Sequence, residues 1–418
     1  DALKGAAPEQ QIALLDILAA RQDAVGLDTA ITLADSDDAK VAIAALRAIG
    51  RLGNADSVSF LVKHAATASG DVRTAAQESL STLAGKGVDG ALEKIAKGGD
   101  EENLRVAAIR SLGERRAFST TPALLDLAKS KEDAVRAESL KSLRVLAKDS
   151  DMDDLLALLK DTKDSSKQDD VIRAIVALCE RNLDADHRAD AVITALDKAK
   201  DDSFQAALIG TLGRIGTGPA LDVLRNRLDK SSGDLRAAVI DAMASWPTGA
   251  PVDDMLAILK APKDDKERSK AFDGYVRILR LVDTESASAV TARYREAAQL
   301  AANPTEKKAV LSGVANVASL DALDLADELG QDSDLAAESR TAAMRIAEAV
   351  YGADPEGIRA RMEKVLANQP GEGAKRQATT ILDRINGFGD YISAWEVAGP
   401  YFVEGKGTES LFDIVFPP

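Results

Sequence analysis

The sequence has few aromatic residues, a single cysteine and two histidines. Aromatic residues make up 4% of its 418 residues, so a packed core must be built mainly from aliphatic side chains. One cysteine excludes an intrachain disulfide, and no spacing of Cys179, His64 and His187 follows that of a zinc site. We therefore expect no metal and no cofactor, and we expect Cys179 to be a buried, inert thiol.

A basic block and a long apolar run are also missing. Lysine and arginine are interspersed with aspartate and glutamate, and the net charge is −15. Proteins that bind nucleic acid present a basic face to the phosphates, so we expect no nucleic-acid partner. No apolar run reaches the roughly 18 residues that span a bilayer, so we expect no membrane insertion. Because the chain begins at Asp1 rather than Met, we expect a processed protein or a fragment, and we favour an exported one.

Sequence motifs of common catalytic and nucleotide-binding sites are not found. The glycine-rich segment "GRIGTGPA" (213–220) follows a helical pattern rather than a strand, which predicts a turn between helices. Paired aspartates could supply general acid–base groups or calcium ligands. Their places near predicted helix starts favour helix capping instead. The pairs are Asp153–Asp154, Asp169–Asp170, Asp201–Asp202, Asp253–Asp254 and Asp264–Asp265.

The sequence does contain a repeat. The segments "DVRTAAQESLSTLAG", "NLRVAAIRSLGERRA" and "DLRAAVIDAMASWPT" each begin with a polar stretch that includes arginine. Small or apolar residues follow at steps of three and four, which place them on one stripe of an α-helix. Anchors of this pattern recur 29–39 residues apart, at positions 8, 39, 73, 105, 136, 168, 205, 236, 268, 307, 336 and 375. Such a period predicts a solenoid.

Shorter amphipathic segments lie between these helices, such as "MDDLLALLKD" and "VDDMLAILKA". Each repeat is therefore predicted to be two antiparallel helices that bury their apolar faces only by stacking. Several glycines, including Gly50, Gly113 and Gly216, are placed near the ends of the longer helices, where glycine easily adopts the left-handed conformation. About twelve helical pairs are expected over residues 1–387.

The repeat resembles the HEAT repeat, an armadillo-like unit, in the short bacterial form of phycobilisome-lyase-like HEAT proteins. "KEDAVRAESLKSLRVL" and "SGDLRAAVIDAM" are its clearest copies. The resemblance implies an all-α fold, an α-α superhelix, with the arginine-led helices on its concave surface. It implies no particular activity, because lyase activity is confined to part of that group.

The regular arginines are the first candidate functional residues. An acid stands just before each of them, so we expect a structural ladder in which each guanidinium bonds an acid or a carbonyl of a neighbouring unit. The alternative is an anion-binding stripe. The five residues are Arg73, Arg105, Arg136, Arg236 and Arg268.

A local aromatic patch is the second candidate. Trp246, Phe272 and Tyr275 stand close together in the repeat pattern of an otherwise aliphatic array. Packing is the more common role of a tryptophan at a helix end, but aromatic side chains also dominate interface energetics. We therefore predict this patch as the binding hot spot, if the array has one.

The closing stretch differs from the rest of the chain. Residues 388–418 hold seven aromatic residues, together with glycine and proline. "ISAWEVAGPYFV" and "SLFDIVF" are typical of strands, so we expect a short β-like C-terminal extension, a cap or the start of a β domain. The stretch resembles the entry strand of a β-sandwich module in large secreted bacterial proteins, which also carry HEAT arrays and sugar-active modules.

The sequence thus predicts a non-catalytic scaffold or protein-interaction array within a larger bacterial protein. Its expected partner is another protein or the adjacent domains of the same polypeptide. The alternative is a fragment of a carbohydrate-active or lyase-type enzyme that uses the concave groove. A pocket that brought acids together with Trp246 and Tyr275 would favour that alternative.

Overall fold

A computed structural model describes residues 5–99, 101–368 and 371–387. Over these ranges the chain forms 23 α-helices with short 3-10 turns and no strand. The all-α prediction is therefore confirmed. The predicted β-like extension at residues 388–418 lies outside the described residues.

The helices follow one another in pairs after a leading helix, α1 (Pro8–Ala20), which packs against α3 (Ala39–Leu52). The first helices of the pairs are α2 (Leu27–Leu33), α4 (Val58–Thr67), α6 (Val88–Lys97), α8 (Thr121–Leu127), α10 (Met152–Asp161), α12 (Asp190–Lys198), α14 (Gly218–Lys230), α16 (Val252–Lys260), α18 (Ala287–Leu300), α20 (Leu320–Leu329) and α22 (Pro355–Ala367).

Most of the second helices contact both their own partner and the second helix of the next pair. They are α3 (Ala39–Leu52), α5 (Gly70–Thr82), α7 (Glu102–Glu114), α9 (Asp133–Leu146), α11 (Ser165–Cys179), α13 (Asp202–Ile215), α15 (Gly233–Ala244), α17 (Asp265–Leu279), α19 (Pro304–Val314), α21 (Ala336–Val350) and α23 (Glu372–Gly387). Every repeat anchor found in the sequence falls in α1 or in a second helix.

Contacts within the chain group the residues into two compact units, 1–242 and 243–418. The single array predicted over residues 1–387 stays a prediction. In the first unit the core is an aliphatic column, formed by the residue seven positions after each anchor. All of its members are fully buried: Leu15, Leu46, Leu80, Leu112, Leu143, Ile175 and Leu212. The repeat period therefore sets the core.

Two of the five aspartate pairs cap helices, and two more lie in the first turn of a helix. Asp201 and Asp264 are the N-cap residues of α13 and α17, and each accepts a 2.8 Å hydrogen bond from a backbone N–H three residues later. The pairs at 153–154 and 253–254 lie in the first turns of α10 and α16. The pair at 169–170 lies in the second turn of α11 and forms ion pairs with arginines of α9 and α13. For that pair the capping prediction is wrong.

Two glycines allow the second helices to approach each other closely. A Cβ on Gly50 would lie 2.8 Å from Cα of Ser79, and a Cβ on Gly113 would lie 2.7 Å from Oγ of Ser142. Both glycines lie in the last turn of their helices, as predicted, but neither adopts the left-handed conformation. Gly216, at φ 69°, does end α13 in the left-handed conformation.

Candidate functional site

The recurring arginines bond mainly to carbonyls at the C-terminal ends of first helices. Nε of Arg73 donates to the carbonyl of Ala68, just past α4, at 2.7 Å, and Nε of Arg105 donates to that of Ala96 in α6 at 3.0 Å. Nη1 of Arg236 donates to a carbonyl of α14 at 2.5 Å. These carbonyls lack partners within their own helices. The bonds thus join the two helices of one pair, whereas the sequence predicted bonds to a neighbouring unit.

Two of the five arginines do reach the next pair. Arg105 forms an ion pair with Glu132, and Arg268 forms two 2.8 Å hydrogen bonds with the carboxylate of Glu306 in α19. The pKa of Glu306 is lowered, chiefly by the hydrogen bond from Arg268. Arg136 pairs within its own helix, with Asp133 at 2.7 Å. Only the contacts of Arg105 and Arg268 with the next pair are those that the predicted ladder requires, and the ladder's contribution to stability stays a prediction.

A second set of ion pairs joins consecutive second helices, and our reading of the sequence missed it. Arg110 in α7 makes two 3.1 Å hydrogen bonds to Glu138 in α9, and Arg47 in α3 approaches Glu78 in α5 at 3.5 Å. The sequence does contain a signal for these pairs. The two partners of each pair are 28 and 31 residues apart, which is close to the length of one repeat. Side chains one repeat apart are neighbours when the pairs stack.

The aromatic patch lies inside the second unit. Trp246, Phe272 and Tyr275 are exposed by 1%, 0% and 0% of their surface. Burial raises the pKa of Tyr275 to about 12, and Arg277 donates hydrogen bonds to the backbone carbonyls of Ala244 and Trp246. The three side chains are core residues that a partner cannot reach in this conformation. Their binding role remains only a prediction, and their burial is a reason to look elsewhere for the binding surface.

The cysteine and the histidines occupy ordinary structural positions. Cys179 is buried at the end of α11, and burial raises its pKa to about 11, so the thiol stays protonated at neutral pH. His64 lies between a carbonyl of its own helix and Asp35, at 3.1 Å and 3.0 Å. His187 is exposed, and the hydrogen bond to Asp190 raises its pKa.

Four surface clefts are candidates for binding. The first lies across α1, α3 and α5 and has a volume of about 570 Å³. The second lies between α10, α12 and the start of α13, at about 440 Å³. The other two lie between α19 and α21, at about 390 Å³, and around α20, α21 and α22, at about 370 Å³. Each cleft is formed within a single unit.

Metal and membrane sites can be stated for the described ranges only. Among residues 5–99, 101–368 and 371–387, no three side chains of the His, Cys, Asp and Glu types come together as a metal site. None of the helices in these ranges has the length and apolar character needed to cross a bilayer.

Comparison with protein families supports the repeat assignment. The family model described as HEAT repeats matches residues 1–81 and 90–179, which together are less than half of the chain. No curated protein matches the sequence.

Solved structures support the fold. Kap121p bound to Pho4p matches with a TM-score of 0.51, and Kap121p bound to the extreme C-terminus of the protein phosphatase Cdc14p matches with 0.50. Each is 11% identical and is matched over 87% of this chain and 46% of its own length. At this identity the similarity shows the fold alone. The match to HEAT repeats thus covers residues 1–81 and 90–179, and the chain has the fold of a HEAT-repeat solenoid.

Proposed function

We propose that the chain is a non-catalytic protein-interaction array, a scaffold that holds a protein partner on the surface of its stacked helices. The observation that carries the proposal is the HEAT-repeat fold itself. Stacked pairs contact only their neighbours and leave long rows of side chains on both helix layers open to partners. The two Kap121p structures are complexes with other proteins, which supports a protein as the class of ligand.

The array is further proposed to work within a larger, exported bacterial protein, next to other domains of the same polypeptide. The resemblance of the closing residues 394–418 to a β-sandwich module supports this context. An intact mass of the protein from its native source, with peptide mapping of both ends, tests it. A mass well above 44.0 kDa is expected, and a mass near 44.0 kDa would overturn the multidomain context.

Photo-crosslinking in the native source tests the scaffold function. A photoreactive amino acid replaces exposed residues on second helices, at Arg51 and Lys141, and on first helices, at Lys63 and Lys94. We expect crosslinks to one defined protein, concentrated on one helix layer. Each variant is matched in exposure, so a difference between the layers reports the binding face.

An enzymatic outcome would contradict the proposal. If no position crosslinks to a protein, and the purified chain instead turns over a 3-keto-disaccharide, the array is part of an enzyme. Loss of that turnover on substitution of a cleft carboxylate such as Asp153 would then locate the site.

A further inference from the structure

Two first helices of the chain are near copies of each other. α10 reads "MDDLLALLKD" and α16, with the residue after it, reads "VDDMLAILKA". The aspartates at 153 and 253 occupy equivalent positions in the first turn, and the lysines at 160 and 260 occupy equivalent positions in the last turn. α10 and α16 therefore each present one aspartate and one lysine, at equivalent positions, to the first helix of the following pair.

The helix that follows α16 neutralises both charges. Arg293 of α18 lies 2.7 Å from the carboxylate of Asp253, and Glu296 of α18 lies 2.5 Å from Nζ of Lys260. Arg293 also holds Glu285 through hydrogen bonds of 2.7–3.0 Å. The step from α16 to α18 is thus closed by two ion pairs of opposite polarity.

The helix that follows α10 lacks both partners. α12 and α18 can be aligned by the buried pairs Val192 and Leu196, and Val290 and Tyr294, which are spaced four residues apart in each helix. In this register Ala195 of α12 stands where α18 has arginine. Lys198 stands where α18 has glutamate, so α12 offers a second cation to the lysine of α10.

An open cleft of about 440 Å³ lies at this step. Its floor includes Leu156 and Phe204, which are 8% and 9% exposed. Lys160, Lys198 and Lys200 stand at its edge, and within the described ranges none of the three makes a hydrogen bond or an ion pair. Three unpaired lysines thus surround an apolar floor on a chain whose net charge is −15.

The cleft also contains two carboxylates, Asp153 and Asp201. Neither of them neutralises the positive charge of the lysines. Asp201 is already occupied as the N-cap of α13, where it accepts a hydrogen bond from the backbone N–H of Phe204. Asp153 is exposed and lies at the opposite end of α10 from Lys160, a distance of nearly two turns along the helix. The lysine end of the cleft therefore remains positive.

We propose that this α10–α12 cleft binds an acidic, leucine-rich segment of a protein partner. A carboxylate of the segment takes the place between Lys160 and Lys198 that Glu296 takes beside Lys260 in the closed step. An aliphatic side chain of the segment covers Leu156 and Phe204. The inference rests on the proposed interaction function and names the surface and the chemistry of its partner.

Fluorescence anisotropy with a synthetic probe tests the proposal. The probe is a fluorescein-labelled peptide of alternating leucine and glutamate pairs, and its matched control has glutamine in place of glutamate. We expect the full chain to bind the acidic probe at least tenfold more tightly than the control, with binding that weakens as salt is added. Equal binding of the two peptides, or no binding of either, would overturn the proposal.

A variant that closes the cleft provides a second test of the proposal. Ala195→Arg combined with Lys198→Glu installs the two residues that α18 carries, and we expect it to weaken probe binding at least tenfold. Lys94→Glu, an exposed lysine at the equivalent end of α6, is the control and should change binding less than twofold. If the double variant does not fold, Lys198→Gln alone should still weaken binding by severalfold. Unchanged binding in every folded cleft variant contradicts the proposal.

Two further outcomes separate this inference from the broader function. Displacement of the probe by a single-stranded DNA oligonucleotide as effectively as by unlabelled acidic peptide would assign the cleft to polyanions and overturn the peptide assignment. If the probe fails while protein crosslinks persist on either helix layer, only the cleft inference fails. If crosslinks are absent while the probe binds at the cleft, the scaffold function fails and the cleft remains an acidic-peptide site.

Discussion

The step from α10 to α12 and the step from α16 to α18 have two buried apolar positions in common but differ in their surface charges. Both begin with the same aspartate and lysine on the leading helix. In the second case arginine and glutamate on the following helix pair with them, whereas in the first case alanine and lysine leave them unpaired. Ion pairs between side chains join the two helices of the closed step, whereas a cleft lies between those of the open step.

The difference shows that stacking and recognition depend on separate residues. The corresponding buried residues, Val192 and Leu196 of α12 and Val290 and Tyr294 of α18, are apolar in both steps and fix how the helices pack. The intervening exposed positions do not alter the fold, so they are free to vary between repeats. A repeat protein can therefore open a binding cleft at one step without loss of the array's core.

The largest effect should come from the shared core position. Tyr294→Ala removes a fully buried ring from the closed step, and we expect a loss of about 3–5 kcal/mol in the free energy of unfolding. Leu196→Ala at the equivalent place in the open step should cost about 2–5 kcal/mol. Urea unfolding measures both. Losses below about 1 kcal/mol at either site would show that the register of the two helices is wrong.

Alkaline pH should destabilise the second unit through its two buried tyrosines. Burial raises the pKa of Tyr294 and of Tyr275 to about 12, while an unfolded tyrosine ionises near 10. Because the folded pKa is the higher one, this stability is complete below about pH 10 and is lost as the pH rises through about 12. The loss approaches about 2–3 kcal/mol per tyrosine.

Tyrosinate absorbance and helicity, followed together from neutral pH upward, measure this effect. Residues 1–242 contain no tyrosine, so the absorbance reports the second unit only. The Tyr294→Phe variant is the control and should shift the transition to higher pH. Ionisation of both buried tyrosines near pH 10 with the helices intact would contradict the prediction.

An intermediate effect is expected when the closed step is given the residues of the open one. Arg293→Ala with Glu296→Lys removes both ion pairs and leaves the half-buried Glu285 without its arginine. We expect a loss of about 2 kcal/mol, since hydrogen bonds between charged groups contribute about 1.5–3 kcal/mol. Amide hydrogen exchange should speed up in peptides from α16 and α18. Arg295→Ala, on the same helix but paired with an acid of α20, should cost less than about 1 kcal/mol.

The smallest effect is the reverse exchange. Ala195→Arg with Lys198→Glu replaces two facing lysines by two ion pairs in the first unit, and surface pairs contribute up to about 1 kcal/mol. The melting temperature should rise by about 1–3 °C. Differential scanning calorimetry measures it, with Lys94→Glu as a control that leaves the value unchanged. A lower melting temperature in the double variant would mean that the new side chains do not meet their partners.

The helical pairs could be predicted from the sequence because their signals are local. Stripes at steps of three and four lie within single helices, and the buried column from Leu15 to Leu212 follows from the repeat anchors. The capping role of Asp201 and Asp264 was likewise predictable, because a cap acts within its own first turn. The aspartates at 169–170 have the same local pattern, yet they serve arginines on other helices.

The candidate site was harder to predict, because exposure depends on what packs above a side chain. Trp246, Phe272 and Tyr275 are an aromatic cluster in the sequence whether they face solvent or core, and the structure places them in the core. The sequence around Gly50 and Gly113 does not indicate that serines of the next second helix lie too close for a larger side chain. The lysines at 160 and 260 have nearly identical sequence surroundings, and only one of them has a partner.

The sequence by itself determined the α-helical repeat, its period and the aliphatic column, because backbone preference and apolar periodicity act over a few residues. Only the tertiary structure decided which arginines cap a helix of their own pair, which aromatic rings are covered, and which step between first helices stays open. Those outcomes depend on side chains that stand about one repeat apart in the chain and become neighbours only when the pairs stack.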